Sequence, residues 1–144
     1  MAITSSSLKF TDESGRTITS GSLHSLFDAA RVGAATDYRT AVITNTHPTL
    51  SLSAAKIWLI RGPGAALAIA IADGATSAVE FSDVSLSALT YSTAASKAAA
   101  VSLPAPATLA PGQRCRIAIR RTLSGAATAE PQTARLYIGG TSPL

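Results

Sequence analysis

From Thr40 onward the chain alternates apolar and polar positions with a period of two, the spacing at which successive side chains fall on opposite faces of a strand. In "AVITN" the β-branched pair Val42 and Ile43 marks a strand, and Asn45 and Pro48 of the following "NTHP" supply turn chemistry. In "KIWLIRGPG", Lys56, Trp58 and Ile60 share one face and Ile57 and Leu59 the other, before Gly62, Pro63 and Gly64 turn the chain. "LAIAIADG" sets Leu67, Ile69 and Ile71 against Ala68, Ala70 and Ala72 and ends in Asp73-Gly74, a turn signal. Two hairpin-like units are expected. "RCRIAIRRTL" alternates most cleanly, with Cys115, Ile117 and Ile119 inward and Arg114, Arg116, Ala118 and Arg120 outward. "ARLYIGG" puts Leu136 and Ile138 on one face, Arg135 and Tyr137 on the other.

The first 35 residues lack this period. They are rich in Ser, Thr and Gly, with apolar anchors at Leu8, Phe10, Ile18, Leu23, Leu26 and Phe27, too scattered to build a core. One helical turn fits "SLHSLFDAARVG", where Leu23, Leu26 and Phe27 share a face and Gly33 stops it. Between the strand-like stretches, Pro104, Pro106 and Pro111 exclude a central strand, and "SKAAAV" is too short for an independent helix. The expected fold is all-β: an antiparallel β-sandwich, immunoglobulin-like or jelly-roll, over residues 36–144, with an extended N-terminal arm over residues 1–35.

Composition changes this picture in one respect. Of 144 residues only 14% are charged and 5% aromatic, where about 25% charged is usual. The surface is therefore built from small, weakly polar side chains, which suits faces that meet other protein. Twelve Lys and Arg against eight acids leave a net charge of +4, without the clustered basic and aromatic residues of a nucleic-acid-binding surface. The longest apolar run, "AALAIAIA", is too short to span a bilayer, and the N-terminus carries no basic leader with an apolar core. The chain reads as made in the cytoplasm, with no nucleic-acid or membrane partner.

Candidate chemistry is sparse. The two histidines, His24 and His47, fall in the expected helical turn and in the Asn-Thr-His-Pro turn, and no G-x-S-x-G elbow is present. Two His and the single Cys115 have no zinc-ligand spacing, and "DESG" opens like a calcium loop without the ligands that should follow. "RGPGAA" lacks the Lys and helix of a phosphate loop. No catalytic, cofactor-binding or metal-ligating residue is expected, and Cys115 reads as a small buried hydrophobe. Arg114, Arg116 and Arg120 line one strand face with no aromatic platform beside them, as an exposed face or an inter-subunit ion-pair ladder would. Asp37 and Arg39 fall on one face of an extended chain, with Tyr38 on the other, at the entry to a strand.

One longer stretch is familiar. "LFDAARVGAATDYRTAVITNTHPTLSLSAAKIWLI", residues 26–60, resembles small virion proteins of tailed bacteriophages, in which Leu-Phe-Asp precedes a Thr-Glu-Tyr-Arg-like motif, an apolar strand and Asn-Thr-His. Asp37 stands here where that motif has Glu, a shorter reach with the same charge. "LAPGQRCRIAIRRTL" is similar to the Pro-Gly turn and following strand of immunoglobulin-like sandwiches. The resemblance implies a non-enzymatic structural protein of the virion.

On this reading the chain is a capsid decoration or cement protein. It needs no cofactor and partners with the major capsid protein or other virion proteins as a homo-oligomer. The assembly contacts would be Leu8, Phe10, Leu26, Phe27, Asp37, Tyr38, Arg39, Arg114, Arg116 and Arg120. A tail, neck or baseplate accessory protein is the nearest alternative. A receptor- or carbohydrate-binding sandwich module is the alternative of another class; it would need exposed aromatic residues, and Trp58 is expected in a core strand.

Overall fold

The computed structural model describes residues 7–12, 15–18, 35–61, 66–94, 97–123 and 134–141. Among the described residues seven strands form two antiparallel sheets. They are β1 (Leu8–Asp12), β2 (Ala35–Asn45), β3 (Ser53–Arg61), β4 (Ala66–Thr76), β5 (Val101–Ser102), β6 (Arg114–Leu123) and β7 (Ala134–Thr141). One sheet runs β1-β2-β6-β4 and the other β5-β3-β7. With the two-residue β5 set aside, the larger sheet has the A-B-E-D order of an immunoglobulin sandwich, and β3 with β7 stand as its C and F.

Alternation decides which side chains go inside. Ile43, Ile57, Leu59, Ile69, Ile117, Ile119 and Leu136 pack a single core between the sheets, each at most 1% exposed. Each such side chain contributes roughly 1.5–3 kcal/mol by leaving water. Cys115 lies fully buried in that core, as expected of a small hydrophobe.

Three expectations are corrected. No hairpins join β2 to β3 or β3 to β4, because each connection crosses from one sheet to the other. Turn residues announce that a chain reverses, and alternation announces a buried face; neither says which strand will be the partner. The Asp73-Gly74 pair ends nothing, since β4 runs through it to Thr76. And residues 8–12, assigned to an arm, form an edge strand paired with β2 from Leu8 opposite Asn45 to Asp12 opposite Ala41. Leu8 and Phe10 pack on the chain's own core, supplying the apolar contacts that five residues could not supply alone. The helical turn expected over residues 22–33, with Leu26 and Phe27, lies outside the described residues.

The connections add local order. Asp12 closes β1: its carboxylate accepts the Arg16 main-chain N–H at 2.9 Å and the Arg16 Nε–H at 3.1 Å, so "DESG" opens a polar turn. Pro111-Gly112 forms a tight turn before β6, with Gly112 at φ +79 and the Gln113 N–H donating to the Ala110 carbonyl at 2.9 Å. Gly140 is required by close approach, because a Cβ there would run into the Ser53 carbonyl.

Burial pushes the Cys115 thiol from its ordinary 9.0 up to about 12, a main-chain hydrogen bond with Ile43 opposing part of the shift. Below pH 9 the thiol is protonated folded or unfolded; between the two values only the unfolded chain ionises. Stability is therefore expected to fall as pH rises through that window, and Cys115→Ala to reduce the fall, measured by urea midpoints below and well above pH 9. A thiol reagent at neutral pH should label Cys115 only once the chain is unfolded.

Candidate functional site

Of the residues singled out from sequence, Tyr38, Arg114, Arg116 and Arg120 meet on the outer face of the four-stranded sheet, around β6. Strict alternation would turn Asp73 inward, since Ile71 pairs with core Ile117. It does not, because the register then passes from Ile71 opposite Ile117 to Asp73 opposite Arg116: β4 spends two residues where β6 spends one. The extra residue flips the alternation. Asp73 comes out beside Arg116, whose Nε–H donates to Asp73 Oδ2 at 2.7 Å.

This pair fastens a long excursion, residues 77–92, across the sheet. Arg116 also donates from Nη2 to the Ser82 carbonyl at 2.8 Å, and Asp73 Oδ1 accepts the Ser82 main-chain N–H at 3.1 Å and the Ser82 hydroxyl. Arg114 donates from Nη2 to the carbonyls of Ala78, at 3.0 Å, and Val79. The rings complete the clamp. The Phe81 centroid lies 4.2 Å from the Arg114 guanidinium carbon and 5.3 Å from that of Arg116, and Tyr91 lies 4.8 Å from that of Arg120. Cation–π contacts of this kind contribute about 0.5–2 kcal/mol each. Between these rings Ala118, although outward, is fully buried.

The excursion returns through Tyr91, whose hydroxyl donates to the Leu86 carbonyl at 2.8 Å and whose ring meets Tyr38 at 5.8 Å. Burial, with Tyr38 beside it, pushes the Tyr91 hydroxyl above its ordinary value, against an opposing pull from Arg120. Ser92 then pairs with Ile69 on the outer edge of β4, and Ala94 accepts the Leu59 N–H at 2.9 Å, which ties the two sheets together.

The expected contacts thus have different fates. Arg114, Arg116 and Arg120 are neither a bare stripe nor without aromatic neighbours: Phe81 and Tyr91 lie over them. Tyr38 joins the same cluster. The Arg39 guanidinium donates to the Tyr38 carbonyl at 2.8 Å, and Asp37 pairs through its backbone with Arg121. Sequence reasoning missed Asp73, Phe81, Ser82 and Tyr91; the available signal was two isolated aromatics in a Ser- and Ala-rich stretch. Beside the clamp, an open groove of about 470 Å³ runs between Thr40, Val42 and Thr44 of β2 and Phe81, Val84 and Leu86 of the excursion. Among the described residues no three His, Cys, Asp or Glu side chains gather as a metal site would require, and no helix is long and apolar enough to cross a membrane.

The Asn-Thr-His-Pro turn is structural. Buried Asn45 donates through Nδ2 to the carbonyls of Leu50, at 2.8 Å, and Leu109, at 2.9 Å, and accepts the His47 N–H at 2.9 Å. His47 Nδ1 accepts the N–H groups of Thr49 and Leu50, at 3.1 and 2.9 Å, so its ring orders the turn. Trp58, on the face opposite Ile57 and Leu59, is half-buried and stacks on Tyr137, centroids 5.6 Å apart.

Compared with protein-family models, curated proteins and solved structures, the chain matches none of them.

Two substitutions test the geometry. Asn45→Ala takes a donor from the Leu50 carbonyl and an acceptor from the His47 N–H, while the Leu109 carbonyl keeps the Leu52 N–H, and is expected to lower unfolding free energy by about 2 kcal/mol in urea titrations. Asp73→Ala leaves Arg116 without its carboxylate, with an expected cost of about 3 kcal/mol. Faster amide hydrogen exchange in residues 77–92 than in β2 would separate release of the excursion from general unfolding.

Proposed function

We propose that this chain is a non-enzymatic structural protein of a tailed-bacteriophage virion, a decoration or cement protein bound to the outside of the head. The observation that carries the reading is the way the clamp presents its loop. Arg114 holds the carbonyls of Ala78 and Val79, and the Val79 side chain projects 91% exposed from a backbone already fixed. A large apolar side chain held in this way loses little freedom on docking, which favours protein contact. The charged groups Asp73 and Arg116 are engaged with each other and with Ser82 in holding the loop. The stretch over residues 26–60 that resembles tailed-phage virion proteins supplies the setting, and the low charge of the chain suits repeated contact with neighbouring protein.

On this reading the sandwich is the rigid body and the excursion its docking element, with the major capsid protein as partner. Quantitative mass spectrometry of purified particles should return a ratio to the major capsid protein near one, or near one to a small integer. A ratio of a few per cent would move the protein to neck or tail, and absence from particles would sink the proposal. Val79→Asp should abolish binding to particles lacking the native protein while leaving thermal stability within about 0.5 kcal/mol, the usual range for a surface substitution.

A further inference from the structure

The two sheets have four outer edges, and the described residues treat them unequally. Beyond β1, Thr17 bridges Thr11 and the Ile18 N–H donates to Phe10. Beyond β4, Ser92 and Ile69 exchange both main-chain hydrogen bonds at 2.9 Å. At the β5 edge the strand is only two residues long. The last edge belongs to β7, which runs for eight residues, and among the described residues no main-chain bond reaches its outer side.

The direction of its outward groups follows from β3. The Ala55 and Leu59 amides donate to Ala107 and Ala94, away from β7. The alternate residues Lys56, Trp58 and Ile60 therefore face β7, where they pair with Gly139, Tyr137 and Arg135. Hence Ala134, Leu136 and Ile138 turn their N–H and C=O groups to the open side. Edge strands are ordinarily blunted by Pro, several charges or shortness; "ARLYIGGT" has no Pro and one charge.

We propose that β7 pairs antiparallel with β7 of a second copy of this chain across a twofold axis, joining two three-stranded sheets into one of six strands. A register centred on Tyr137 sets Leu136 of each copy opposite Ile138 of the other, so outward-facing donors and acceptors meet. It also sets Arg135 of each copy opposite Gly139 of the other, so the one charged residue of the strand is not paired with itself. The stacked Trp58 and Tyr137, with Ile60 beside them 46% exposed, run up to this edge, so pairing extends an apolar strip across the joint. The inference does not rest on the virion reading, because purified protein tests it without particles.

Sedimentation of the full chain is expected to give a dimer. Ile138→Pro removes an outward N–H that the monomer does not use, and should halve the sedimenting mass while Cys115 stays protected from thiol reagents. Tyr137→Cys puts two thiols at a non-hydrogen-bonded pair with Cα atoms about 4.5 Å apart, within disulfide range. Mild oxidation should then link two chains, whereas Lys9→Cys on the β1 edge should not. If Ile138→Pro fails to fold, the two cysteine variants decide. A wild-type monomer up to about 0.1 mM, a dimer that survives Ile138→Pro with Cys115 protected, or no link through Tyr137→Cys would overturn the proposal. So would a chain that stays monomeric alone and pairs through β7 only with a different particle protein.

Discussion

The outer face of the larger sheet depends on the extra residue that β4 spends between Ile71 and Asp73. A guanidinium on a sheet face that another segment covers must keep a partner, since a lone charge withdrawn from water costs several kcal/mol. Arg116 finds that partner only because the bulge after Ile71 brings Asp73 round to its side. Without the bulge Asp73 would fall opposite Cys115 with its carboxylate turned between the sheets, and the arginine would face a covering loop with no carboxylate to balance it. The same carboxylate anchors Ser82, so the register irregularity and the path of residues 77–92 are one solution to one electrostatic requirement.

β6 is where both faces of that solution meet. It is paired on both sides, by β2 and β4, and its inward positions Cys115, Ile117 and Ile119 are fully buried. Its outward positions Arg114, Arg116 and Arg120 carry long stems ending in cations. Stems can lie along an apolar surface while their heads seek carbonyls and ring faces, which is what Phe81, Tyr91 and the Ala78 and Val79 carbonyls provide. Lys in these places would lose the planar fork that reaches several carbonyls at once.

How much of this could be read beforehand follows from the range of each signal. Alternation is local, so the buried faces of β3 and β6 were legible at Ile57, Leu59, Ile117 and Ile119, and with them the sandwich. Pairing is not local. Asp73 and Arg116 are 43 residues apart, and β2 and β3, adjacent in sequence, lie in different sheets. "DG" signals a hairpin turn in its commonest use, whereas here the pair follows a bulge and the strand continues. Leu8 and Phe10 misled for a related reason: a short edge strand has too few apolar residues to declare itself until its partner strand is in place. The Asn-Thr-His-Pro stretch was legible as a turn, but the Asn45 bond to Leu109, 64 positions on, was not.

Low charge content constrains the surface that remains. When few ionised side chains are available and the described ones on the outer face of β6 are turned to internal use, much of the exterior falls to Ala, Ser and Thr, whose small side chains allow close approach of another backbone and cost little to desolvate. A sandwich built in this way cannot rely on scattered Lys and Glu to keep neighbours at a distance, and has to guard its strand edges by geometry. Residues 17–18 do so for β1 and Ser92 for β4, each by lending main chain to an edge that would otherwise seek a partner. The unequal treatment of the edges is therefore part of the same economy of charge that shaped the clamp: main chain is lent at β1 and β4, and among the described residues none is lent at β7.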